Sequence, residues 1–101
     1  MKTQGNLYKI KQDKLSKWRE WCLLLRTTHK EEALETLKEE KNTHELYLIF
    51  QIKEDFYVAM MGVGENLPAT SRELNQRHKA MKEECLEFVC PLENLLEFWN
   101  S

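Results

Sequence analysis

The order of elements along this chain predicts an α+β fold of type βαββαβ. Three observations carry that expectation. Leu46 to Ile52 and Phe56 to Val63 are apolar, strand-forming runs joined by the polar Lys53-Glu54-Asp55, which reads as a hairpin. Leu15, Trp18, Cys22 and Leu25 recur at spacings of three and four, and so do Leu74, His78, Met81, Cys85 and Phe88, which gives one helix before the hairpin and one after it. Short alternating segments at the two ends supply the remaining strands.

Each element has a local cause. Asn6 to Lys11 alternates, with Tyr8 and Ile10 on one face and Leu7, Lys9 and Lys11 on the other. Asp13 is placed to cap the first helix. Trp21 widens the apolar stripe of that helix. Thr27 and Thr28 then weaken it, because β-branched side chains lose rotamer freedom against the preceding turn. The pattern resumes through Ala33, Leu34 and Leu37, so the expectation is one bent helix, or two with a break near Arg26 to His29, ending around Lys41-Asn42. Glu65 to Ala69, with Pro68, is a loop. Thr70 and Glu73 have capping-box spacing ahead of the second helix, and Pro91 ends or follows it. Leu92 to Trp99 alternates again and is the expected fourth strand.

The βαββαβ order is ferredoxin-like: an antiparallel four-stranded sheet with helices on one face, the first and third strands central. At 101 residues the chain fits one domain, 1–101, with one modest core. The second strand, at an edge, is apolar on both faces. An exposed edge of that kind invites aggregation, so a second copy packed sheet to sheet is expected, a homodimer.

Composition excludes several function classes. Fifteen basic and seventeen acidic residues give a net charge of −2 with no basic stripe, which argues against nucleic acid. No run approaches the apolar length of a membrane span or a signal peptide. Three cysteines without a CxxC fit a cytoplasmic protein with free thiols. No metal motif, phosphate loop or nucleophile elbow is present, and no cofactor is expected; GVGEN lacks the lysine and glycine spacing of a phosphate loop.

If the helices cover Tyr8, Ile10, Leu48, Phe50, Val58, Met60, Leu96 and Phe98, the other face carries Lys9, Lys11, Tyr47, Ile49, Gln51, Tyr57, Ala59, Met61, Leu95, Glu97 and Trp99. That face reads either as a dimer interface or as a pocket for a small apolar or aromatic ligand between the sheets. The pocket would have walls from Tyr47, Tyr57 and Trp99 and polar anchors from Lys9, Gln51 and Glu97. Lys9 and Glu97 are expected to pair across neighbouring strands. Among the histidines, His78 stands on an apolar stripe where leucine would serve packing. It is a candidate base or ligand, with Asn75 beside it and Tyr57 as a further orienting group. His29 lies at the helix break, and His44 precedes the second strand.

The stretches KLSKWREWCLLLRTTHKEEALETLKEE, ELYLIFQIKEDFYVAMM and LNQRHKAMKEECLE resemble a small family of uncharacterised proteins in the dimeric α/β-barrel superfamily. The resemblance spans nearly the whole chain and implies a dimeric α/β barrel. The superfamily includes cofactor-free quinone-forming monooxygenases, haem-degrading monooxygenases and stress-responsive barrel proteins. Asn6 and His78 fall in regions that match the haem-degrading members, whereas no tryptophan stands near the third strand. The resemblance therefore implies a monooxygenase using His78 as the alternative to a non-catalytic homodimer.

Overall fold

A computed structural model describes residues 2–93. The elements are β1 (Lys2–Ile10), α1 (Leu15–Arg26), α2 (Lys30–Glu39), β2 (Asn42–Ile52), β3 (Asp55–Gly64), α3 (Glu73–Cys85) and β4 (Leu86–Leu92). The sheet is antiparallel with order β2-β3-β1-β4, the ferredoxin-like arrangement with β1 and β3 central.

The expected break in the first helix is present. Thr27 closes α1, its hydroxyl donating to the Leu23 carbonyl at 2.7 Å, and the His29 N–H returns to Leu24 O at 2.9 Å. The hairpin turns through Lys53 and Glu54, with Lys53 at φ 57 and Ile52 opposite Asp55.

Several expectations are corrected. The sheet is open: β2 and β4 are its two edges, they do not meet, and no barrel is formed. Four strands are too few to close on themselves into a barrel. The fourth strand is Leu86–Leu92, directly after α3, so Phe88 leaves the helical stripe and packs edge-on against Tyr8 at 5.9 Å. Pro91 is tolerated there because β4 is an edge, where a missing N–H costs no ladder bond. The expected strand beyond Leu92, with Leu95, Leu96, Glu97, Phe98 and Trp99, lies outside the described residues. Neither expected cap forms: α1 starts after Lys14 and α3 after Arg72, both without a side-chain cap bond, and the Thr70 hydroxyl instead accepts from Asn75.

The face assignment also changes, in one strand. Ile10, Val58 and Met60 lie under the helices as expected, with Trp18, Trp21, Leu74, Cys85 and Leu86 completing the core. On β2, however, Tyr47 pairs with Met60 and Ile49 with Val58, so Tyr47 and Ile49 point to the helices. Leu46, Leu48, Phe50 and Ile52 point to the open face and are exposed. Alternation is strict, so a one-residue slip in parity inverts the whole strand. Both sets are apolar, which is why hydrophobicity alone did not choose between them.

Candidate functional site

The helix-facing side of β3 runs Phe56, Val58, Met60, Gly62, bulky at one end and bare at the other. Beyond Met60 the side chains stop filling the space under α3 and the loop of residues 65–72. A half-open cavity of about 510 Å³ remains there. Gly62 leaves room for the loop: a β-carbon there would come within 2.6 Å of Asn66 Oδ1, so the Asn66 side chain would have to move. The Asn42 side chain holds the loop by accepting from the Asn66 N–H at 2.9 Å, and Arg72 clamps it to α2 through Glu39 at 2.6 Å.

Asn6 and Tyr8 of β1, Glu45 and Tyr47 of β2, and Asn75, His78, Lys79 and Lys82 of α3 line this cavity, together with Glu40 after α2. On its floor runs a chain of hydrogen bonds. Trp21 Nε1–H donates to His78 Nδ1 at 2.9 Å, His78 Nε2 lies 3.2 Å from the Tyr47 hydroxyl, and that hydroxyl donates to Glu45 Oε1 at 2.5 Å. An indole N–H can only donate, so Nδ1 must be the acceptor and the proton of neutral His78 sits on Nε2. Every bond then has one direction, from Trp21 to His78, and from His78 through Tyr47 to the Glu45 carboxylate. The rings stack as well: the His78 ring centroid lies 5.9 Å from that of Tyr47 and 6.1 Å from that of Trp21.

Electrostatics follow from this packing. Burial, helped by the Lys82 charge, pulls His78 down to about 4, so it is neutral at ordinary pH. Burial, with the Glu45 charge next, pushes the Tyr47 hydroxyl well up. Glu40 is pushed up to about 7, first by burial and then by the charges of Glu45 and Glu39, with Lys82 opposing. A carboxyl near neutrality in a cleft is a group that can give or take a proton under physiological conditions.

The expected site residues separate. His78, Asn75 and Tyr47 share the cavity, though Asn75 spends its amide donors on the Thr70 carbonyl and hydroxyl at 3.1 and 3.0 Å. Tyr57 is on the opposite face, stacked with Phe50 at 5.7 Å. Lys9 is also on the open face and pairs with Asp55 at 3.6 Å. Gln51 shares the strand parity of Tyr47 but lies exposed near the end of β2. Glu97 and Trp99 lie outside the described residues. His29 faces Arg77 at 3.5 Å, and His44 is exposed beside Thr43. The His78 lone pair at Nδ1 is taken by Trp21, so haem or proton capture there would first break that bond.

Glu40 and Glu45 escaped the sequence reading. Glu40 sits in a charged run that looks like a solvated face, and Glu45 precedes the apolar part of its strand. The available signal was that Glu45 stands two residues before Tyr47, on the same side of β2.

A second groove, of about 720 Å³, runs between α1 and the β2 edge, with Cys22 in its wall. Burial pushes the Cys22 thiol up to about 11, so it is not a thiolate nucleophile at neutral pH. Among the described residues no group of three or more His, Cys, Asp or Glu is placed to hold a metal ion, and no helix is long and apolar enough to cross a membrane.

Residues 1–98 match the family described as "Family of unknown function (DUF6176)", and the chain belongs to that family. This assignment replaces the resemblance to the dimeric α/β-barrel superfamily, which the open sheet does not support. No curated protein and no solved structure matches the chain significantly.

Proposed function

We propose that this member of an uncharacterised family is a small-molecule-binding protein whose site is the cavity on the helix side of the sheet. The observation that supports it is convergence: the hydrogen-bonded Trp21–His78–Tyr47–Glu45 chain and the perturbed carboxyl of Glu40 meet at one cleft. Its volume of about 510 Å³ lies within the usual range of ligand pockets. Tyr8, Met60 and Leu74 supply apolar lining beside the polar groups. His78 in this reading orients Tyr47 and is not the reacting group, since both its nitrogens already have partners. A fragment mixture followed by amide NMR tests the proposal. Shifts confined to Asn6, Gly62, Leu74 and His78 are expected, and an unchanged spectrum at these positions refutes it.

A homodimer formed through the open face accompanies this reading. Leu46, Leu48, Phe50 and Ile52 are exposed there beside Leu7, Ala59 and Met61, and Lys9, Asp55 and Glu87 gather at one end. Four strands about 4.8 Å apart and some eight residues long present roughly 500 Å² in projection, and more with side-chain relief, near the ~800 Å² per partner of a standard interface. The uncharged centre makes the surface self-complementary about a two-fold axis. Sedimentation should report a dimer, and Leu48→Lys a folded monomer; a wild-type monomer at micromolar concentration refutes it. The free thiols of Cys22, Cys85 and Cys90 fit a cytoplasmic setting.

A further inference from the structure

Both signs of charge line the same cleft, and among the described residues Glu40 and Lys82 form no ion pair with each other. The Glu40 carboxyl makes no hydrogen bond and no ion pair among the described residues. The Lys82 ammonium, within electrostatic reach of Glu40 and His78, lies 5.6 Å over the Tyr8 ring and forms no ion pair among the described residues. Lys79 lines the cavity beside it. Glu45, by contrast, is already engaged by Tyr47, so its negative charge is held in place on the β2 side.

We infer that the cleft takes a small zwitterion, an amino-carboxylate whose ammonium meets Glu40 and Glu45 and whose carboxylate meets Lys82. This inference rests on the cleft being the binding site. A simple anion would bring its charge against Glu40 and Glu45, and a simple cation would meet Lys82 and Lys79. Either would leave one of the two half-buried charges, Glu40 or Lys82, without a counterion, which is the basis of discrimination between polar ligands. The zwitterion satisfies both sets, and its methylenes lie against Tyr8, Met60 and Leu74.

Ammonium recognition also acquires a pH dependence. The charged groups acting on Glu40 are Glu39 beside it in sequence, Glu45 on β2 and Lys82 on α3. Glu40 titrates near 7, so affinity for the ammonium end rises as pH rises through neutrality.

Amide NMR titrations with γ-aminobutyrate and ε-aminocaproate test the inference, with caproate and hexylamine as one-charge controls. At least one zwitterion is expected to shift Asn6, Leu74 and His78 with about tenfold or greater preference over both controls. Lys82→Gln should reduce its affinity to that of hexylamine, and Glu40→Gln to that of caproate while removing the pH dependence. Caproate or hexylamine binding as tightly as the zwitterions overturns the inference and leaves the cleft intact. So does a fragment mixture that shifts these amides when neither zwitterion does. Silence from the fragment mixture as well refutes the cleft itself.

Discussion

Glu40 and His78 line one cavity and should oppose each other in the pH dependence of folding. His78 falls to about 4 from its ordinary 6.5, so below 6.5 the unfolded chain takes up a proton that the folded chain refuses. Stability from this group is complete above 6.5 and is lost as pH falls toward 4. Glu40 rises to about 7 from 4.5, so between those values the folded chain holds a proton that the unfolded chain has released. That group therefore stabilises the fold increasingly as pH falls from 7 to 4.5. Each full difference of one proton is worth about 1.4 kcal/mol per pH unit. Going from pH 6.5 to roughly 5, His78 should remove about 1.5–2 kcal/mol, and Glu40, discounted for its solvent exposure, should return about 1 kcal/mol.

The wild-type protein should thus lose only about 1 kcal/mol or less from these two groups over that interval. Glu40→Gln exposes the full loss of His78. His78→Gln exposes the opposite slope, a fold that becomes more stable relative to the wild type as the solution is acidified. Urea unfolding followed by the fluorescence of buried Trp18 and Trp21 at several pH values gives all three curves. The remaining titratable groups are common to the three proteins and cancel in the comparison. Equal slopes for the wild type and Glu40→Gln would show that Glu40 is not perturbed, and equal slopes for the wild type and His78→Gln would show that His78 is freely protonated in the fold.

Other outcomes follow from the same geometry. Tyr47→Phe removes the central hydroxyl of the chain, leaving the part-buried His78 Nε2–H without its partner while the exposed Glu45 carboxylate turns to water; thermal or urea unfolding should show a loss of about 1–2 kcal/mol. Retention of wild-type stability would mean that solvent satisfies His78 as well. Lys53→Asn places a residue suited to the left-handed region at φ 57 and should raise stability by about 0.5 kcal/mol, measured as an increase in the urea midpoint at unchanged slope. Gly62→Ala should close part of the cavity and disturb the Asn66 loop, which would appear as a weakened NMR response to the fragment mixture.

Local pattern was enough for most of the architecture. Period two in residues 46–52 and 56–63, a polar turn between them and two helical stripes specify βαββαβ, because each element must bury its own apolar set. Thr27 and Thr28 mark the α1–α2 break through side-chain stiffness, a property of the residues themselves. The second helix was legible in its stripe but not in its end, since Phe88 continues a helical spacing while Glu87 to Leu92 also suits an edge strand; pairing with Tyr8 decides it.

The site was less legible. His78 stood out as a polar residue on an apolar stripe, yet its meaning came from Trp21, 57 positions away in sequence, which takes its Nδ1 lone pair. The facing of β2 could not be read because Leu46, Leu48, Phe50 and Ile52 are as apolar as Tyr47 and Ile49; only register against β3 separates them. That choice moves Tyr47 from a supposed inter-sheet pocket to the helix side and brings Glu45 with it. Hydrophobic periodicity is a local quantity and specifies which elements form. Parity, strand order and the meeting of Glu40, Glu45, His78 and Lys82 are long-range, and only the closing of the tertiary structure determines them.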